Sequence, residues 1–257
     1  MRGVCLLVAC LVGATSAPAS AASHRVFVAG DSTASAYGPE RAPREGWGMR
    51  LQALLDPTMW DVRNHAQSGR SSRSFVEQGW LDAIDAGLQP GDVLLIQFGH
   101  NDEKVEDPAR YTAPRTEFPA WLMKYVALAR RHGATPILIT PLARRRFEHG
   151  QLLDTHGAYA QAVRDLAAGE RVGLIDLDAM SRDWLRSLGD EPSRAYFMHV
   201  PEARTPDQPQ ADDTHLRDRG ARAVACLILR GWRALDPTLA VAESADAACA
   251  VLDRAAP

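Results

Sequence analysis

Residues 25–33 read Arg25-Val26-Phe27-Val28-Ala29-Gly30-Asp31-Ser32-Thr33. Four apolar residues run without interruption, then a glycine, an acid and two hydroxyls follow. An unbroken apolar run of this length suits a strand buried on both faces, the pattern of a parallel sheet. The Gly-Asp-Ser-Thr turn stands where such a strand gives way to a helix. That is where an α/β protein exposes a nucleophile.

Four more runs repeat the pattern, over residues 62–66, 93–98, 136–140 and 172–176. Between them apolar residues fall at helical spacing over 49–55, 75–88, 118–131, 159–168, 178–188 and 216–235. Strands alternating with helices predict right-handed crossovers and a three-layer α/β/α fold. No repeat or low-complexity linker interrupts the series. Residues 189–213 form a long polar stretch with Pro192, Pro201, Pro206 and Pro209, and loops of this length are often functional. The alanine-rich tail after Asp236 reads as a loosely attached helix.

The chain has 257 residues, 46% hydrophobic and 24% charged, with a formal net charge of -3. That is enough for one large domain, and no run of one sign suggests nucleic acid or an anionic membrane as a partner. Residues 1–22 read as a secretory signal: Arg2 supplies the positive start, residues 4–12 a short apolar core, and Ala19-Ser20-Ala21 a cleavage site. Residues 23–257 are then the mature domain, secreted or periplasmic. A lipobox-like Leu7-Val8-Ala9-Cys10 would instead anchor a lipoprotein through Cys10, but too little apolar chain precedes it. No later segment is long and apolar enough to span a membrane. Of four cysteines, Cys226 and Cys249 remain after cleavage. An even pair in an exported chain reads as a disulfide, with two buried free thiols as the alternative.

Ligands bind parallel α/β sheets at the carboxyl ends of the strands. Gly30-Asp31-Ser32, Gln67-Ser68-Gly69-Arg70 and Gly99-His100-Asn101-Asp102 each follow a predicted strand, so the three turns converge on one edge. Ser32 is the candidate nucleophile. An alcohol needs an adjacent base, and Asp212-Asp213-Thr214-His215 supplies one. His215 can take the proton while an aspartate fixes its tautomer. The residues alone leave open whether that aspartate is Asp212 or Asp213. The backbone N–H groups of Ser32 and Gly69 and the amide of Asn101 can donate to an oxyanion. Each motif alone also fits an ordinary turn or cap. Their joint occurrence at three successive strand ends points to chemistry.

These four blocks resemble those of the SGNH, or GDSL, hydrolases. Thr33, Gly46-Trp47-Gly48, Gly69-Arg70-Ser71-Ser72-Arg73-Ser74-Phe75, His100 and Thr140-Pro141-Leu142-Ala143-Arg144-Arg145 resemble more specifically the rhamnogalacturonan acetylesterases. The resemblance implies a flavodoxin-like five-stranded parallel sheet of order 2-1-3-4-5. It implies a triad of Ser32, Asp212 and His215, an oxyanion hole of Ser32, Gly69 and Asn101, and no metal or cofactor. The GxSxG elbow of the α/β-hydrolases is absent. The stretch 196–210 has no match in the family and is a candidate for shaping a substrate groove.

Arg70 and Arg73 follow the second strand, and Arg144, Arg145 and Arg146 the fourth. Arginine forks bind carboxylates in bidentate fashion, so they are expected to contact a uronic-acid polymer. The competing reading pairs them with protein carboxylates such as Glu45 or Glu148. Trp47, Trp80 and Trp121 sit in helical patterns and read as packing residues. The function expected is hydrolysis of acetyl esters on a pectic polysaccharide. Alternatives are a lipase, a thioesterase or a xylan acetylesterase with the same triad, or a non-catalytic sugar- or anion-binding module.

Overall fold

A computed structural model describes residues 24–200 and 211–252. The expected signal, residues 1–22, and most of the stretch 196–210 lie outside the described residues. The strands are β1 (His24–Gly30), β2 (Arg44–Glu45), β3 (Trp60–Asn64), β4 (Val93–Gln97), β5 (Thr135–Ile139), β6 (Phe147–Glu148), β7 (Gln151–Leu152), β8 (Gly173–Ile175), β9 (Phe197–His199) and β10 (Ala211–Arg217). The α-helices are α1 (Gly48–Leu51), α2 (Ser72–Glu77), α3 (Trp80–Asp85), α4 (Glu117–Arg131), α5 (Gly157–Glu170), α6 (Leu177–Leu188), α7 (Asp190–Ser193), α8 (Asp218–Leu235) and α9 (Ala245–Cys249).

Five strands form one parallel sheet in the order β3-β1-β4-β5-β8. This is the 2-1-3-4-5 order, and the fold is the expected three-layer α/β/α architecture. Alternate residues of β1 serve opposite faces. Val26 and Val28 pack with Leu51, Leu185, Val224 and Ile228 of α1, α6 and α8. Phe27 and Ala29 pack with Phe75, Ile84, Leu122 and Val163 of α2 to α5. A strand that must feed two cores has no solvent face, which is why its apolar run is unbroken.

Four boundaries differ from the expectation. The predicted strand 62–66 is the edge strand β3, which begins at Trp60. It alternates because only one of its sides is covered, and Trp60 packs near the rings of His24 and Trp232. The predicted helix 75–88 is two helices, because Gly79 adopts φ 79° between α2 and α3. The predicted helix from 216 starts at Asp218, and the residues before it are β10. The stretch 189–213 contains α7, β9 and the start of β10, and β2, β10 and β9 form a second, three-stranded sheet. Tyr196, expected in a groove-forming loop, is fully buried edge-on against Trp184.

The tail is fastened rather than loose. Cys226 of α8 and Cys249 of α9 form a disulfide, Leu55 bridges to Val241, and Leu252 is buried. Trp47 is wholly buried, and Trp80 packs against the α2–α5 core. Trp121, only partly buried, carries the Lys124 ammonium 3.7 Å from its ring centre. Among the described residues no helix is long and apolar enough to cross a membrane.

Candidate active site

Ser32 follows β1 and is held by its neighbours before it meets any partner. Asp31 Oδ1 accepts from the Thr33 N–H (2.9 Å) and hydroxyl (2.8 Å), closing an aspartate turn around Ser32. The Tyr37 hydroxyl donates to the Ser32 carbonyl at 2.7 Å. Thr33 is in turn held by the Gln97 amide (3.1 Å), whose oxygen accepts the Trp47 indole N–H at 2.7 Å.

His215 reaches Ser32 from β10. Between the pairs Asp212↔Met198 and Leu216↔Phe197, β10 advances four residues while β9 advances one. This bulge places residues 213–215 outside the ladder, and a bulge of this kind re-aims a side chain. His215 Nε2 lies 2.9 Å from Ser32 Oγ, and Nδ1 lies 2.6 Å from Asp212 Oδ2. Asp212 Oδ1 accepts the N–H groups of Thr214 (2.8 Å) and His215 (3.0 Å). Burial opposes ionisation of Asp212, but the hydrogen bond and charge of His215 and these backbone donors hold its carboxyl far below the usual range. Asp213 is occupied elsewhere: its Oδ1 accepts from Arg145 Nε (2.6 Å) and faces His199 Nε2 (2.7 Å). The structure thus brings Asp212, not Asp213, to His215.

Three candidate donors line the same cleft. Neither the Ser32 nor the Gly69 backbone N–H has a hydrogen-bond acceptor among the described residues. Gly69 has φ 77°, a Cβ there would meet nothing within 4 Å, and the residue lines the cleft beside Ser32. The Asn101 amide nitrogen donates one hydrogen to the Arg70 carbonyl at 3.0 Å, which leaves the other for a ligand. Arg110 fixes the amide's orientation by donating to Asn101 Oδ1 at 3.3 Å.

Beneath these loops lies a buried polar layer. Asp102 follows Asn101 and accepts from the backbone N–H (3.0 Å) and hydroxyl of Ser72 and from the Thr112 hydroxyl (2.9 Å). Ser72 opens α2, where Ser71 and Ser74 form a reciprocal capping box. Asp102 therefore ties the Asn101 turn to the Gly69 turn. Burial lifts its carboxyl to about 7 against the opposing Ser72 hydrogen bonds. His100 Nδ1 lies 3.2 Å from Asp31 Oδ2, and burial lowers the imidazole to about 4. A neutral His100 N–H donating to a charged Asp31 is the arrangement at neutral pH.

The cleft has a volume of about 250 Å³, and its walls include Ser32, Gly69, Asn101 and His215 together with Arg44, Lys104, Arg110 and Arg144. Of the five arginines first expected at the substrate, only Arg144 lines it. Arg70 folds onto Gln78 and the Ser68 carbonyl. Arg73 pairs with Glu77 on its own helix. Arg145 is 4% exposed and bound to Asp213 and Asp190, and Arg146 pairs with Glu148. Protein carboxylates have taken Arg73, Arg145 and Arg146, as the competing reading held, while Arg70 is held by an amide oxygen and a backbone carbonyl. The sequence reading missed Tyr37, Arg44, Lys104 and Arg110. The usable signal for the last two was position, since residues 103–110 directly continue the Asn101 turn. A groove of about 400 Å³ between α4 and α5 contains no Ser, Cys or His. No group of three or more metal-ligating side chains occurs among the described residues.

An oxygen nucleophile with a base, an orienter for that base and three donors for a developing anion is an arrangement that can perform acyl transfer. Comparison with known proteins agrees. Residues 28–223 match the GDSL-like Lipase/Acylhydrolase family. The chain is 40% identical over 210 residues to the rhamnogalacturonan acetylesterase RhgT of Bacillus subtilis, covering 80% of this chain and 88% of the relative. It is 39% identical over 213 residues to the probable rhamnogalacturonan acetylesterase YesY of the same organism, covering 83% and 94%. The crystal structure of Bacillus subtilis YxiM superposes with a TM-score of 0.73 at 27% identity, over 84% of this chain and 58% of that one.

Proposed function

The chain belongs to the GDSL-like lipase/acylhydrolase family, and we propose that it is a serine acetylesterase that removes O-acetyl groups from a pectic, rhamnogalacturonan-like polysaccharide. The observation that carries the chemistry is the 2.9 Å and 2.6 Å relay from Ser32 through His215 to Asp212, beside two backbone amides without acceptors among the described residues.

In this reading Ser32 Oγ attacks the acetyl carbonyl carbon and gives its proton to His215 Nε2. Asp212 stabilises the imidazolium through Nδ1. The oxyanion receives hydrogen bonds from the Ser32 and Gly69 N–H groups and the Asn101 amide. Collapse breaks the bond to the sugar oxygen, which leaves with the proton from His215. Water then gives a proton to His215 and attacks acetyl-Ser32. Acetate leaves, and the proton returns to Ser32 Oγ. A cleft of about 250 Å³ suits a short acyl group. The polysaccharide assignment draws on the acetylesterase relatives named above and on the cations in the cleft wall. Residues 1–22 are read as an export signal, and the Cys226–Cys249 disulfide supports a compartment outside the cytoplasm.

Acetate release from acetylated rhamnogalacturonan and from acetylated xylan, with 4-nitrophenyl acetate as a small ester, tests the reading. Wild type is expected to favour the pectic polymer, and Ser32→Ala to lose all three activities. Equal kcat/KM on the two polymers would remove the pectic assignment and leave the esterase. Persistence of activity in Ser32→Ala would remove the nucleophile.

A further inference from the structure

We infer that Lys104 and Arg110 form a carboxylate subsite beside the acetyl-binding cleft, which takes a uronate of the bound polymer. The inference rests on the acetylesterase reading above and names the acidic sugar as the group recognised.

Four cations line the cleft, and their partners separate them. Arg144 is bound to Glu103 and the Thr214 hydroxyl. Arg44 stands 3.7 Å from Asp212, and Arg110 is held by Asp107 at 2.6 Å. Lys104 has no hydrogen-bond or ion-pair partner for its ammonium among the described residues. Every other cation in that wall is paired. This one stands free inside it.

Its surroundings make that position unfavourable without a ligand. Lys104 is part-buried, and burial together with the charges of Arg110 and Arg144 pulls its pKa below the usual lysine value, against Glu106 and Asp107. A solvated surface lysine has none of these penalties. An incoming anion relieves both, because it restores hydrogen bonds to the ammonium and screens the two guanidinium charges. The position also fits a polymer. The Lys104 backbone N–H bonds the Asn101 carbonyl at 3.3 Å, so Lys104 stands one turn from the oxyanion donor and both residues line the cleft. Arg110 touches both places, since its guanidinium orients Asn101 at 3.3 Å. A carboxylate held there would sit on a neighbouring sugar and fix the ester over Ser32.

The probe is an unacetylated oligogalacturonide, used as a competitive inhibitor of 4-nitrophenyl acetate hydrolysis at low salt. The control is the same oligomer with its carboxylates reduced to alcohols. We expect the charged oligomer to inhibit wild type, with an inhibition constant about tenfold higher in Lys104→Gln and within about threefold in Lys104→Arg. The reduced oligomer should not distinguish the three proteins. High salt should erase most of the advantage of the charged oligomer. The inference is overturned if the charged oligomer does not inhibit, if Lys104→Gln leaves its inhibition constant unchanged, or if the reduced oligomer weakens in parallel. Failure of the pectic reading looks different. Wild type would then release no acetate from acetylated rhamnogalacturonan, while oligogalacturonide inhibition still followed the charge at position 104.

Discussion

Replacing Asp212 by asparagine changes one atom and tests the relay at its far end. Both carboxylate oxygens are committed, Oδ1 to two backbone N–H groups and Oδ2 to His215 Nδ1. Asparagine can satisfy only one of these sites. If its oxygen keeps the Thr214 and His215 amides, its NH2 faces Nδ1, and Nδ1 must become the acceptor. The ring proton then moves to Nε2 and points at Ser32 Oγ, so His215 cannot take the serine's proton. If the amide flips, two backbone hydrogen bonds of 2.8 and 3.0 Å are lost, at about 1 kcal/mol each. The first arrangement is cheaper for the fold and ruinous for the base. We expect kcat on 4-nitrophenyl acetate to fall ~10³–10⁴-fold, equivalent to about 4–5.5 kcal/mol of barrier, with KM changed little. Ser32→Ala sets the floor, and circular dichroism with thermal melting verifies folding. Asp213→Asn is the matched control. It loosens Arg145, so stability should drop, but kcat should stay within about tenfold. A larger kcat loss in folded Asp213→Asn than in Asp212→Asn would refute the reasoning.

Asn101→Ala should lower kcat ~10²–10³-fold with little change in KM, because the oxyanion exists only beyond the ground state; unchanged kcat in folded protein would reduce Asn101 to a turn residue. Asp102 is raised from 3.8 to about 7, so the native state keeps a proton that the unfolded chain releases. Its contribution is fully present below pH 3.8 and is lost as pH rises through about 7, by about 4 kcal/mol at most. Denaturant titrations should show wild type losing stability relative to Asp102→Asn across that window, and a constant difference would contradict the buried acid. Cys226 and Cys249 are 23 residues apart, so removing the disulfide should cost about 3 kcal/mol by the loop-entropy model, read from urea unfolding of the double alanine variant.

The central strands were legible because burial on both faces writes an unbroken apolar run. The three strand-end turns followed from those runs. β10 was not legible as a strand. Its sequence Ala-Asp-Asp-Thr-His-Leu-Arg has no apolar alternation, because it pairs with short strands and bulges through its middle. Only the Asp-His spacing marked it, and spacing alone could not choose between two adjacent aspartates. The choice needed Arg145 and His199, which engage Asp213 from 68 and 14 residues away. The arginines failed for a related reason. Strand-end position brings a cation to the active edge, but its target depends on which carboxylate the fold delivers there. Arg73 found Glu77 one turn along its helix, and Arg145 found Asp190 across the sheet edge.

Each reacting group has an aspartate beside it, and the three aspartates meet different surroundings. Asp31 precedes Ser32, Asp102 follows Asn101, and Asp212 holds His215. Burial works against ionisation at all three. At Asp31 it is outweighed by His100 and the Thr33 donors, and at Asp212 by His215 and two backbone amides. Asp102 receives only neutral donors from Ser72 and Thr112, and the nearby Asp31 charge disfavours its ionisation further. A carboxyl in such a place keeps its proton to higher pH. The two aspartates that must stay charged beside the nucleophile and the base are therefore the two hydrogen-bonded to a histidine, and the one that only ties the oxyanion turns together has hydroxyl and backbone donors alone among the described residues. Acid should accordingly protonate Asp31 and Asp212 only far below neutrality, whereas Asp102 changes state near neutral pH.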